Sequence, residues 1–119
     1  METAPVREAL LVVVLIVVVL ATASLEPTTG IRGGLLVALA FLLLGSVAGA
    51  LYHRRLHACL RDRGPVPPRW WVDPTKLHRT LTEPERERTM PAFYVGAFSF
   101  GVCVLGCVSM VSGLVRILL

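Results

Sequence analysis

Three histidines and a cysteine stand where the chain turns from apolar to basic. His53, His57 and Cys59 fall within GALYHRRLHACLRDR (residues 49–63), and His78 follows further on. Two histidines four apart share one face of a helix and make half a zinc site, with Cys59 or His78 as a third donor. The spacing is loose, however, and Arg54 and Arg55 beside the pair oppose a cation, so no metal is expected. The same histidines could do acid–base work on lipid headgroups, but no spacing ties them to a nucleophile. Cys59, in basic sequence beside an apolar stretch, is a candidate for lipid attachment. Cys103 and Cys107 sit four apart in apolar sequence with no other donors near them, so they read as small packing residues. No cofactor is expected, and no catalytic residues are assigned.

The elements that position these residues are set by hydrophobic length. Of the 119 residues 55% are hydrophobic, and they gather in three blocks. Seventeen residues from Ala9 to Leu25 carry no charge, nor do twenty from Gly33 to Tyr52, nor twenty-five from Pro91 to Val115. About 17–25 apolar residues are what a helix needs to cross a bilayer core of about 30 Å. A lone strand in lipid leaves its backbone polar groups unpaired, so even VVVLIVVVL (12–20) reads as helix. The fold class expected is an all-α integral membrane protein with three transmembrane helices: an N-terminal hairpin (spans 9–25 and 34–52), and a C-terminal span (91–115) after an amphipathic loop.

Between the spans the punctuation is clear. EPTTGIRGG holds one proline and three glycines and reads as a short turn over 26–33. The second span should continue as helix into HRRLHACL until Gly64-Pro65-Val66-Pro67-Pro68 stops it. Asp73-Pro74 is an N-cap followed by proline at the first helical position and predicts a short helix over 74–81. Thr82-x-x-Glu85 is a capping box that opens the last helix. Pro91 lies within that helix, where it could kink it.

Nine of the twelve Lys and Arg lie between Arg54 and Arg88. Basic loops stay on the cytoplasmic side, so loop 53–90 and the N-terminus (1–8) are placed there, and the C-terminus (116–119) opposite. Ala21-Thr22-Ala23 resembles a signal-peptide cleavage site, but the acidic Glu2 and Glu8 flanking Arg7 favour a retained first helix. The basic loop is expected to meet anionic lipid headgroups, with Tyr52, Arg54, Arg55, Trp70 and Trp71 as interfacial anchors. Acidic residues interleave with the basic ones in this loop, which excludes a nucleic-acid surface.

No Asp, Glu, Lys, Arg or His lies in the blocks, which argues against an ion-coupled transporter acting alone. What the spans do hold is small residues in phase. Ala92, Gly96, Ser99, Cys103, Gly106, Met110 and Gly113 recur at alternating steps of four and three. Gly45 and Gly49 form a GxxxG in the second span, and Gly34 and Ala38 extend its stripe. Small residues let helix backbones approach in lipid, either within the chain or against a partner membrane protein or a second copy. The functional expectation is a non-enzymatic accessory, assembly or regulatory subunit of a larger membrane complex. The alternatives are a homo-oligomeric pore lined by Ser99, Ser109 and Ser112, and a lipid-modifying enzyme.

Overall fold

The computed structural model describes residues 3–119, with side chains from Pro5 onward. Three α-helices account for most of it: α1 (Thr3–Ala23), α2 (Pro27–Arg63) and α3 (Glu83–Leu118), with a 3-10 segment at Pro74–Thr80. No strand occurs among the described residues. All three α-helices are long and apolar enough to cross a membrane. The chain divides into two compact units, one made of residues up to Phe41 together with Gly101–Leu119, the other of Leu42–Phe100. Both α2 and α3 contribute to each.

In the first unit the turn between α1 and α2 is shorter than the composition predicts. Helix α2 begins at Pro27 and takes in Gly30, Gly33 and Gly34. Pro27 sits where an unpaired N–H is expected anyway. The Glu26 carboxylate accepts the Thr29 backbone N–H at 2.9 Å and the Thr29 hydroxyl at 3.0 Å, capping the helix. These bonds, with those from Thr28, hold the exposed Glu26 carboxyl down at about 2. Glycine costs a helix about 1 kcal/mol relative to alanine, and two of these three glycines repay that by admitting α3, as described below. The end of α1 is closed by Arg116, which donates to the carbonyls of Ala23 (2.9 Å) and Leu25.

In the second unit α2 runs on to Arg63 and ends at Gly64, whose φ of +137° only glycine adopts freely. The segment after it folds back on the helices. Tyr52, Leu56, Cys59, Leu60, Leu81 and Ala92 form the buried cluster, with Val66, Trp70, Leu77 and Phe93 packed around it. The short helix expected at 74–81 is present as a 3-10 segment. Asp73 does not cap its backbone: its carboxylate takes the Thr75 hydroxyl at 2.7 Å and pairs with Lys76 at 3.1 Å. Those two partners lower its pKa. The Glu85 carboxylate accepts the Thr82 N–H at 3.1 Å, so the backward half of the capping box starts α3. Helix α3 passes through Pro91 without interruption.

Candidate functional site

The small-residue stripes are contact surfaces inside the chain. In the first unit α2 and α3 run antiparallel and nearly touch. A Cβ added to Gly34 would lie 2.5 Å from the Gly106 carbonyl oxygen and 2.9 Å from the Met110 nitrogen. One added to Gly106 would lie 2.7 Å from the Gly34 oxygen, and one added to Gly113 would lie 2.7 Å from the Pro27 oxygen. No side chain fits against backbone at those distances. The Ser109 hydroxyl donates to the Gly30 carbonyl across this contact at 3.1 Å. Cys103 is half-buried on the same stripe, and Cys107, one step round the helix, is exposed.

In the second unit the approach is looser. A Cβ on Gly45 would lie 3.2 Å from that of Ser99, and one on Gly96 would lie 3.8 Å from the Gly49 nitrogen. Gly49 itself has open space where a side chain would be. Ser99 is wholly buried, and its hydroxyl has no partner among the described residues. With Ser99 and Ser109 both buried within the chain and Ser112 half-buried, the three serines do not form an exposed lining.

Beyond the apolar blocks, the histidines gather around aromatic rings rather than around one another. The Tyr52 hydroxyl and His78 Nε2 share a hydrogen bond, and Phe93 stacks edge-on to His78 at 4.8 Å between ring centres. His53 hydrogen-bonds through Nδ1 to the Gly49 carbonyl at 2.8 Å. Trp70 lies against both His53 (5.8 Å) and His57 (5.2 Å). Burial, and then the nearby Arg86 guanidinium, lower the His78 pKa. Among the described residues no three His, Cys, Asp or Glu side chains are grouped to hold a metal ion.

Several residues expected as interfacial anchors or as a lipid attachment point are packed inside the second unit. Tyr52 is only 3% exposed, packed between His78 and Phe93. Its position, four after Ala48, keeps it on the buried stripe of α2, so it faces α3. Trp70 is turned inward onto the histidines. Cys59 is buried, with its sulfur 3.8 Å from the Thr89 hydroxyl, and is not presented for lipid attachment. Arg54 and Trp71 are exposed. Arg55 is exposed too but donates to the Arg88 carbonyl at 3.0 Å, tying α2 to α3.

Sequence reasoning passed over Leu56, Leu81 and Thr89, all buried in this unit. The signal was available for two of them: Thr89 lies one step of three before Ala92, and Leu56 one step of four after Tyr52. It also passed over the ion pair of Arg63 with Glu85. A pocket of about 380 Å³ opens beside the cluster, lined by His78, Arg86, Glu87, Met90, Pro91 and Tyr94. Compared with known proteins, the chain matches no family model, no curated protein and no solved structure.

Proposed function

We propose that this chain is an integral membrane protein with three transmembrane helices that serves as a non-enzymatic accessory or assembly subunit of a larger membrane complex. The observation that carries the reading is how little of each candidate span the chain covers for itself: 0% of the apolar window in α1, 17% in α2 and 22% in α3. Such faces need lipid or other helices around them. Lipid solvates apolar side chains well, so helices associate there through small residues that permit close approach. The inward stripe of α3 is already used against α2. On its outward side Ala97 and Gly101 lie four apart and exposed, and a Cβ on Gly101 would meet nothing within 4 Å. This is the face offered to a partner helix. The basic loop 53–90 and the N-terminus are assigned to the cytoplasm, where Arg54, Trp71 and their neighbours meet anionic headgroups.

The test is to substitute Ala97→Leu and Gly101→Leu together and purify the chain in mild detergent. Because both positions are open, helicity is expected to be unchanged while co-purifying membrane proteins are lost. An undiminished set of partners would overturn the subunit reading.

A further inference from the structure

The pocket beside His78 combines features that no single packing role requires. It lies at the point of α3 where TEPERERTM gives way to PAFYVGAFSF, with charge on one side and Met90, Pro91 and Tyr94 on the other. Its volume of about 380 Å³ falls within the roughly 300–1,000 Å³ of small-ligand sites. Its charged lining is one cation and one anion, Arg86 and Glu87. Arg86 uses Nη2 to hold the His78 carbonyl at 3.2 Å, which steadies the guanidinium and leaves its other donors for a ligand. Among the described residues the Glu87 carboxylate makes no ion pair.

Pro91 adds a second acceptor. Having no N–H, it cannot supply the helical hydrogen bond to the Glu87 carbonyl four residues back. The pocket is thus lined by a residue with both an unpaired carboxylate and a carbonyl deprived of its usual donor. A purely anionic headgroup would be repelled by Glu87. A headgroup with a phosphate and a primary ammonium suits both charges: the phosphate on Arg86, the ammonium N–H groups on the Glu87 carboxylate and carbonyl. A quaternary ammonium has no N–H to give. The apolar wall then meets the glycerol and the start of the acyl chains.

We infer that the cleft formed by Arg86, Glu87, Met90, Pro91 and Tyr94 is a binding site for an ethanolamine phospholipid. The site rests on the membrane reading above, since it needs α3 to meet a bilayer at this level. It differs from the general attraction of the basic loop for anionic lipid, because it selects a zwitterion.

The experiment uses the full chain in nanodiscs holding equal amounts of phosphatidylethanolamine, phosphatidylcholine and phosphatidylglycerol, with retained lipid read by native mass spectrometry. Ethanolamine lipid is expected to exceed choline lipid about tenfold, the ratio given by one charge-assisted hydrogen bond that choline cannot make. Glu87→Gln should bring that ratio near parity, and Arg86→Ala should lower retention of all three. Pro91→Ala restores the missing N–H and strengthens the helix, so it keeps the fold and should still reduce the preference. A preference for phosphatidylglycerol in the unaltered chain, an ethanolamine preference unchanged by Glu87→Gln, or a total lipid retention unchanged by Arg86→Ala overturns the site. Extraction of the chain from membranes by alkaline carbonate would instead overturn the membrane reading beneath it.

Discussion

His78 is a residue whose protonation the surrounding structure shifts. Burial and the Arg86 guanidinium both disfavour its imidazolium form. The folded chain therefore keeps the ring neutral to lower pH than the unfolded chain does. That contribution to stability is complete above the ordinary imidazole value and is lost as pH falls through the depressed one. Thermal stability in detergent should fall as pH drops below the ordinary imidazole value of about 6.5, and His78→Gln, which cannot titrate there, should flatten that dependence. Replacing Tyr52 by Phe removes the hydroxyl partner of His78 and should cost about 1 kcal/mol at neutral pH in the same assay. Cysteine chemistry provides a separate check on burial. N-ethylmaleimide is expected to reach Cys59 only on unfolding, as mass spectrometry of the labelled peptide would show. Nothing in the sequence around Cys59 distinguished a buried thiol from an exposed one. What decides it is the return of the 64–82 segment and Thr89 over it, a contact between residues thirty apart.

The glycines of α2 and α3 look alike in sequence and differ sharply in structure. Gly106→Ala puts a methyl within 3 Å of backbone atoms of α2, which cannot swing aside as a flexible side chain would. It should destabilise the chain by about 1–3 kcal/mol, read as a fall in the midpoint of thermal unfolding. Gly33→Ala and Gly49→Ala add the same methyl to open space and should be neutral or stabilising by up to about 1 kcal/mol. The three helices, the stop at Gly64 and the start at Thr82 were legible because each is written in local chemistry: apolar length, proline, or a capping pair. The α3 stripe was legible because its alternating steps of four and three keep one face. The start of α2 was not. Its glycines read as a turn, and only the closeness of α3, distant in sequence, explains why a helix holds them. The burial of Tyr52 was missed for a related reason, since its place at the end of an apolar block outweighed its phase on the buried stripe.

For the molecule as a whole, orientation is the property that charge alone addresses. Lys76 is the sole lysine and its side chain is well exposed. In sealed right-side-out vesicles a membrane-impermeant amine reagent should leave Lys76 unmodified, and in inverted vesicles it should react; the reverse pattern would place loop 53–90 outside. The whole-molecule division into two units had no counterpart in the sequence, because it depends on which distant segments meet. That division bears on biosynthesis. Residues 42–100 form one unbroken stretch, so their unit has all its parts once Phe100 has been made. The other unit joins residues up to Phe41 to Gly101–Leu119, and the carbonyls of Ala23 and Leu25 must wait for Arg116. The first hairpin thus leaves the ribosome with its corner unlatched and the narrow groove over Gly30 and Gly34 vacant. Until Arg116 and Gly106 arrive, the contact that Gly34 makes with α3 cannot form, so the order of synthesis sets when this groove is closed.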